Sequence, residues 1–457
     1  MRIRPVTETE TPRAVIAVAF LLVVLLASFL RLTAASDTVI DVPIRSDAKG
    51  YVAYAYNWKN FGVYSRQVTW IPAEAPEQIL PDALQQPGYP AFLKLFIDDG
   101  PPDAIFVRSV MIAQAILGVF IVIIAFISAR LLLGSMAALF VMLLTAISPH
   151  LIVMENYLLS ETLYALLVAA VLVSGALALK YYGSGIGRRW AAVTGVVLGL
   201  CCLVRPPLMQ LAPVLLVLTL AIPALRSYRK CVFYAAACFL LVMSPWMIRN
   251  LLVTGHLGDP RLMVTTLIHG SYPDMLYNGD PATLGYAYRY DTRMAEISQG
   301  MGTALAEIGR KFSEHPITYL HWYLFGKIGF FFNWQITGGF ADVFTYPAVR
   351  SPYFQDGLFV STHALMHALH WPLVAAGLVG AMLVWTPRAR SVADGWKLHA
   401  LRWLSFVLAV VMFGNMIGAP YSRYSVPFRP LLYLLAVFAL MVAATSVRAR
   451  QRSIQNA

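Results

Sequence analysis

Runs of apolar residues, each close to the length of a membrane-spanning helix, dominate this sequence of 457 residues. A helix needs about 20 apolar residues to cross roughly 30 Å of hydrocarbon. Such runs lie near residues 14–32, 105–128, 131–147, 158–179, 190–204, 207–225, 231–248, 364–385, 401–418 and 430–447. Only 13% of the residues are charged, against about a quarter in soluble domains. The chain is therefore predicted to be an all-α polytopic membrane protein with about ten transmembrane helices.

Positive charges between the apolar runs predict the orientation, because Lys and Arg accumulate on the cytoplasmic side of membrane proteins. The clusters are Arg2, Arg4 and Arg13; Arg130; Lys180, Arg188 and Arg189; Arg226, Arg229 and Lys230; Arg388, Arg390 and Lys397; and Arg448, Arg450 and Arg452. An even number of spans places all of them, and both termini, in the cytoplasm. The net charge of +12 comes from these short clusters, which argues against a nucleic-acid partner.

Two long segments, 33–104 and 249–363, are predicted on the outer face of a single membrane-embedded domain (1–457). Both are rich in aromatic residues. Residues 318–334 are apolar enough to touch the bilayer, but a crossing there would break the even count, so an interfacial or re-entrant helix is expected. Most acidic residues fall on this face, and those expected on the cytoplasmic side are Glu8, Glu10 and Asp394.

Aspartates follow the first span, ahead of a stretch rich in Tyr and Trp. Carboxylates at the mouth of a membrane protein are costly where they are desolvated, so they are more often functional than decorative. Asp37 and Asp41 are interpreted as surface residues. Asp47 comes just before a predicted helix, and it is either a site residue, a solvated loop residue or a helix N-cap residue.

Glu161 and Arg205 lie at the ends of predicted spans. Glu161 is in the first turns of the fourth span, where the helix dipole favours an acid, and where a functional carboxylate needs a partner or a water-filled cavity. Arg205 follows a fifth span of only about 15 residues, roughly 22 Å long, so its guanidinium is expected below the outer surface. Arg205 is suited to bidentate phosphate binding. The alternative is a structural ion pair with Glu161.

Further cations lie beside aromatic residues at the outer boundary, namely Arg249 and Arg423 with Tyr424. They either contact a ligand or anchor the helices at the interface. One helix face carries a histidine series at i, i+4 and i+7, whose spacing is compatible with a metal but is interpreted as a polar stripe: His363, His367 and His370. The cysteines lie in apolar runs and are interpreted as reduced packing residues: Cys201, Cys202, Cys231 and Cys238.

The first outer segment resembles that of a known family. Its motifs are Ser46-Asp47 with Tyr51, Tyr54, Ala55 and Phe61-Gly62-Val63-Tyr64, then Gln85-Gln86-Pro87-Gly88-Tyr89-Pro90-Ala91-Phe92. These motifs look like those of the membrane-embedded GT-C glycosyltransferases. That family includes the protein O-mannosyltransferases and the bacterial lipid A aminoarabinose and galacturonic acid transferases. The Glu-Lys pair of the aminoarabinose branch is replaced here by Gln85-Gln86, so the charge chemistry of that branch is absent.

The resemblance implies roles for the candidate residues. Asp47 would be the catalytic base and Glu161 a second functional acid. The donor phosphate would contact Arg205, Arg249, Arg423 and Tyr424. Many family members have Asp-Glu where this chain has Asp47-Ala48. No cofactor is expected, and a divalent metal is left open.

The predicted function is therefore transfer of a sugar from a polyprenyl-phosphate donor to a lipid, glycan or protein acceptor. The enzyme would lie in a bacterial inner membrane with its active site facing the periplasm. No GxGxxG, Walker loop or DxD triplet occurs in the sequence, which agrees with a lipid-linked donor. One alternative is a polytopic transporter or lipid flippase, which should show pseudo-repeats and helices broken near the midplane. Another is a scaffold or polymer ligase without the Asp47 chemistry.

Overall fold

A computed structural model describes residues 12–336 and 342–455, and the described chain is almost entirely helical. The predictions about Arg2, Arg4, Glu8 and Glu10, and about the side chain of Arg452, lie outside it. The helices are α1 (Arg13–Asp37), α2 (Ser46–Asn60), α3 (Gly88–Leu93), α4 (Ala104–Leu133), α5 (Ser135–Ala146), α6 (Pro149–Met154), α7 (Glu161–Lys180), α8 (Gly185–Val204), α9 (Leu211–Ala221), α10 (Arg229–Thr254), α11 (Arg261–His269), α12 (Met294–Ile297), α13 (Met301–Glu314), α14 (Pro316–His321), α15 (Lys327–Phe331), α16 (Pro352–Gln355), α17 (Gly357–Leu383), α18 (Gly395–Ile417) and α19 (Arg429–Gln455). Two short strands, β1 (Val39–Ile40) and β2 (Ala348–Arg350), pair antiparallel. The predicted all-α class is confirmed.

Within the described residues, eight helical segments are long and apolar enough to cross a membrane. They are Arg13–Asp37, Ala104–Leu133, Glu161–Lys180, Gly185–Val204, Pro223–Thr254, Gly357–Leu383, Gly395–Ile417 and Ser422–Gln455. The chain is therefore a multi-pass membrane protein, as its apolar runs predict.

Two of the predicted spans, 131–147 and 207–225, correspond to short helices instead. Helix α5 has 12 residues and α9 has 11, or roughly 18 and 17 Å at 1.5 Å per residue. Gly134, with a φ of 94°, ends α4 and so removes the first turn of one predicted span. Proline limits both short helices, because its ring clashes with a continuing helix. The chain still passes through the bundle at both places, since α4 and α7 begin at one end of the bundle and α8 and α10 begin at the other.

Helix α8 is longer than predicted. It contains 20 residues, or about 30 Å, so the expected short fifth span is wrong. The helix begins near Ser184, whose side chain accepts from the Gly187 amide. Arg188 and Arg189 lie in its first turns, because long cationic side chains can reach past apolar surface to water.

The bundle has two ends of different character. The loop end carries segments 33–104 and 249–363, which β1 and β2 join. The opposite end, called here the basic end, carries the positive clusters that follow α7, α9 and α17. The only acid of the described chain at the basic end is Asp394, next to the start of α18. The two ends therefore separate charge as the sequence predicts, and the assignment of the basic end to the cytoplasm stays a prediction.

The region 318–334 forms α14, a π-helical turn at Trp322–Gly326, and α15. It is not among the described helices that are long enough to cross a membrane. Lys327 in this region is buried, and its Nζ donates to the carbonyls of Met416 and Gly418 at 2.8 Å. The region is thereby fixed to the end of α18.

Candidate active site

Four of the predicted site residues meet at the loop end, although they come from distant parts of the chain. Asp47 lies on α2, Glu161 begins α7, Arg205 follows α8, and Arg423 lies in the 3-10 helix Ser422–Phe428 before α19. Arg423 pairs with Asp47, and Arg205 Nη1 lies 2.6 Å from Glu161 Oε1. Arg423 Nε is also 3.8 Å from Glu161 Oε1. These residues, called here the charge quartet, have no net formal charge.

Asp47 is held by Arg423 and does not cap its own helix. The N-cap residue of α2 is Arg45, and no side chain caps this helix. The N-cap interpretation of Asp47 is therefore wrong. Ser46 has a φ of 47°, a left-handed conformation that costs about 1–2 kcal/mol for a residue with a side chain. The Arg423 guanidinium beside Asp47 holds the pKa of that carboxyl below its usual value, so the carboxylate is ionised at neutral pH.

Glu161 lies between the two guanidiniums and is only 2% exposed. Its position in the first turn of α7 also places it near the positive end of the helix dipole. Arg205 is extended, as residues before proline tend to be, and this turns its side chain back toward α7. Arg205 Nη1 also donates to Ser160 Oγ at 3.2 Å. The structural ion pair weighed for Arg205 is therefore present.

Aromatic residues surround the charge quartet. The Tyr424 ring centroid lies 4.7 Å from Cζ of Arg205 and 5.4 Å from Cζ of Arg423, so both cations lie near its ring. Tyr51 is within 3.2 Å of Ser160 Oγ. Sequence reasoning assigned no site role to Tyr51, yet the i+4 spacing from Asp47 on one helix was a usable signal.

A second residue that sequence reasoning missed is Tyr346, from the second outer segment. Burial raises its pKa, and so does the charge of nearby Asp47. The Tyr346 carbonyl accepts from Tyr157 Oη at 3.1 Å, and the chain continues into β2. No motif links residue 346 to residue 47, so only the tertiary structure reveals this contact.

Arg249 is not part of the charge quartet. Its Nη1 donates to the Asp82 carbonyl at 2.6 Å, and its Cζ lies 5.4 Å from the Tyr64 ring centroid and 5.2 Å from that of Trp246. The Asp82 side chain accepts from Tyr54, on α2. Arg249 thus holds the first outer segment against α10, and its predicted donor contact stays a prediction.

The predicted histidine series lies beside the indole ring of Trp334. His363 Nε2 lies 2.6 Å from Asp342 Oδ2, and His370 Nε2 lies 2.7 Å from the Phe332 carbonyl. His367 lies 4.9 Å from the Trp334 ring. Within residues 12–336 and 342–455, no group of three or more His, Cys, Asp or Glu side chains could hold a metal ion.

Comparison with solved structures relates this architecture to known enzymes. The archaeal oligosaccharyltransferase AglB from Archaeoglobus fulgidus, in complex with an inhibitory peptide and a dolichol-phosphate, matches 97% of this chain with a TM-score of 0.55 and 15% sequence identity. The Archaeoglobus fulgidus oligosaccharyltransferase tethered to an acceptor peptide matches 95% of this chain with a TM-score of 0.53 and 16% identity. The chain has a GT-C fold.

The matches differ in how much of each neighbour they cover. The chain spans about half the length of the oligosaccharyltransferase, with 52% and 50% of those structures covered. ArnT from Cupriavidus metallidurans bound to undecaprenyl phosphate matches 94% of this chain and 78% of its own, with a TM-score of 0.41 and 13% identity. No family model matches the sequence, and no curated protein matches it. The GT-C fold places the charge quartet at the loop end of the bundle.

Proposed function

We propose that this protein is a membrane glycosyltransferase that moves a sugar from a polyprenyl-phosphate donor to an acceptor hydroxyl. The observation that carries the proposal is the charge quartet, which assembles two guanidiniums and two carboxylates on a GT-C fold. A lipid phosphate needs cations, and an acceptor hydroxyl needs a base. A GT-C neighbour, the AglB oligosaccharyltransferase, is in complex with a dolichol-phosphate.

Asp47 is the proposed base. Its side chain is 44% exposed, so an acceptor can reach it, and its lowered pKa keeps it unprotonated. Asp47 takes the proton of the acceptor hydroxyl while that oxygen attacks the anomeric carbon. The bond from the anomeric carbon to the phosphate oxygen breaks, and its electron pair leaves with the polyprenyl phosphate. Inversion at the anomeric carbon is expected.

Arg423 and Arg205 are the proposed phosphate ligands. A bound phosphate competes with Asp47 for Arg423, because guanidinium binds both anions through paired N–H groups. Transfer of Arg423 to the phosphate would free the carboxylate and raise its pKa, which makes Asp47 a stronger base when the donor is present. Glu161 then acts as a positioning residue, because it faces both guanidiniums. Tyr424 supports them from the side.

Gln85 is a candidate for recognition of the sugar. Its amide lies 3.5 Å from where a Cβ of Gly50 would be, one turn beyond Asp47 on α2. Gln85 Oε1 is buried and has no hydrogen-bond partner in the described structure. A sugar hydroxyl would supply the missing donor, since buried polar atoms are rarely left unpaired.

The proposed location is a bacterial inner membrane, with the loop end facing the periplasm. The donor would enter from the lipid, and the acceptor would be a lipid, a glycan or a protein.

The proposal is tested first by mass spectrometry of lipids and surface glycans from cells with and without the gene. We expect a polyprenyl-phosphate sugar to accumulate without the gene and an acceptor to lose the corresponding sugar mass. A lipid flippase would give a similar pattern, so the purified protein is then assayed in detergent. Detergent provides no bilayer across which a flippase could move a lipid. Product formation there supports a transferase, whereas its absence with the identified donor and acceptor would favour the flippase.

A further inference from the structure

A cavity lies toward the basic end of the bundle, apart from the charge quartet. Its volume is about 610 Å³, and residues of α7, α8, α9, α10 and α18 line it. It is within the usual range of roughly 300–1,000 Å³ for small-molecule sites. Its walls include Leu179 near the end of α7 and Ala191 near the start of α8. Leu179 is 18 residues from Glu161 and Ala191 is 14 residues from Arg205, or roughly 27 and 21 Å of helix. No member of the charge quartet lines this cavity, so it is separate from the proposed active site.

Most of the lining is apolar, with side chains such as Leu198, Leu215, Val232 and Phe406. The neighbouring outward surface of α9 and α10 is apolar as well, since Val217 is 61% exposed and Leu241 is 71% exposed. Such side chains face hydrocarbon in a membrane-spanning bundle. The cavity therefore lies beside a surface that would face lipid.

Hydrogen-bond donors without partners lie in this apolar lining. Arg402 donates Nε to the Val384 carbonyl at 3.1 Å, and its Cζ lies 5.5 Å from the Trp385 ring centroid. Within the described chain its two terminal nitrogens have no hydrogen bond, and no acid pairs with it. Trp403 Nε1 is buried and also has no hydrogen-bond partner there. An unpaired guanidinium at membrane depth is expensive. The cavity thus offers a cation, Arg402, that an anionic and partly apolar ligand would satisfy.

The charge around the cavity is positive. Arg188 and Arg189 lie in the first turns of α8, at the basic end. Arg226, Arg229 and Lys230 follow α9 in the sequence. In the described chain, Asp394 is the only acid at this end. Basic pockets between transmembrane helices are known to bind anionic lipid head groups.

We propose that this cavity binds an anionic phospholipid from the leaflet at the basic end. The acyl chains occupy the apolar part of the cavity, called here the groove. The phosphate contacts the terminal nitrogens of Arg402. The Trp403 ring is part of the wall that the acyl chains contact.

The head-group contact is tested by native mass spectrometry of the purified protein with phosphatidylglycerol and with phosphatidylcholine. We expect the wild type to bind phosphatidylglycerol about tenfold more tightly, and Arg402→Gln to lose this preference. Arg390→Gln removes the same charge at the same end, from an exposed residue outside the cavity, and should keep it. Equal affinities in the wild type, or equal losses in both variants, would overturn the proposal.

The groove is tested by a matched pair on α10. Ala236 lines the cavity, whereas neighbouring Ala237 is exposed and does not. Ala236→Trp should fill the groove and weaken binding of both lipids about tenfold, and Ala237→Trp should not. Glycerol phosphate, which lacks acyl chains, should fail to displace the lipid. Unchanged binding in a folded Ala236→Trp protein, or displacement by glycerol phosphate, contradicts an acyl-chain site.

Discussion

Asp47 and Arg423 depend on each other in the free protein. Without its partner, each would be an isolated charge at the membrane boundary. The same holds for Glu161 and Arg205. The two pairs are linked through the 3.8 Å contact between Arg423 and Glu161. Donor phosphate adds negative charge to a quartet that is otherwise balanced. Binding should therefore rearrange the pairs, and that rearrangement connects donor binding to the basicity of Asp47.

The pH dependence of kcat/KM should reveal the Arg423–Asp47 pair. Because Arg423 lowers the pKa of Asp47, the carboxylate loses its charge only below its ordinary pKa of about 3.9. Wild-type kcat/KM should thus show no acid limb from this group above about pH 5. In Arg423→Gln the pKa of Asp47 should rise, because the cation that lowers it most is gone, so the acid limb should move to higher pH.

The control for this experiment is Arg261→Gln. Arg261 is exposed at the loop end, and its ion-pair partner is Asp259. Its loss should leave the acid limb in place. An unchanged limb in Arg423→Gln would show that Asp47 is not the group that titrates in the reaction.

Glu161 and Arg205 allow stability and donor binding to be separated. Glu161→Gln leaves Arg205 unpaired at a largely buried position, which should destabilise the protein by roughly 3–5 kcal/mol. Arg205→Met combined with Glu161→Gln should regain much of that stability, because no charge is then left alone. Arg205→Lys should weaken donor binding about tenfold, since Lys lacks the bidentate fork. Thermal unfolding and donor titration of each purified variant measure both effects. Unchanged donor affinity in Arg205→Lys, with stability regained in the double variant, would leave Arg205 with a structural role only.

Sequence reasoning found the members of the charge quartet one at a time but could not pair all of them. The Glu161–Arg205 pair was predictable as an alternative, because both charges were expected near the outer surface. The Asp47–Arg423 pair joins residues 376 positions apart, and apolar runs do not determine which loop meets which. Arg249 shows the converse problem. A cation beside aromatic residues at a span end looks the same whether it binds a ligand or, as here, loop carbonyls.

Helices α8 and α10 pack closely because small residues lie where the two helices touch. A Cβ on Gly195 would lie 2.0 Å from the Ala235 carbonyl oxygen, so the helices must move apart to admit one. Small residues of this kind let transmembrane helices approach closely. Because α8 leads directly to Arg205, this contact also supports the position of that guanidinium.

Gly195→Ala should therefore lower the melting temperature and destabilise the protein by about 1–3 kcal/mol, the usual range for overpacking. The matched control is Gly414→Ala on α18, where a Cβ meets nothing within 4 Å. The control should be neutral or slightly stabilising, because alanine favours helix over glycine. Equal melting temperatures of the two variants would show that α8 and α10 are not closely packed in the membrane.

The span predictions succeeded where length and composition alone decide, and they erred where turns interrupt an apolar run. Hydropathy does not register Gly134 or the prolines that shorten α5 and α9. It also undervalues helical residues with charged side chains, and so it began α8 too late. Arg188 and Arg189 belong to that helix because their long side chains reach the interface.

The charge separation between the two ends predicts one orientation for the entire molecule. Cysteines introduced at Asp99 and Asp280, both exposed in the outer segments, should react with an impermeant thiol reagent added outside. A cysteine at Gly185, at the basic end, should react only after the membrane is permeabilised. The native cysteines all lie within α8 and α10, and the unmodified protein provides the background. Labelling of the outer positions only from the cytoplasm would invert the topology.

Glycosyl transfer with Asp47 as its base is tested by comparing the wild type and Asp47→Asn in detergent with the same donor and acceptor. The change keeps the size of the side chain but removes its basicity. We expect polyprenyl phosphate release to fall roughly 100-fold or more, the usual contribution of a general base, while donor binding persists. Asp41→Asn, on the exposed stretch before α2, should retain full turnover. Wild-type turnover by a folded Asp47→Asn protein would contradict the assignment.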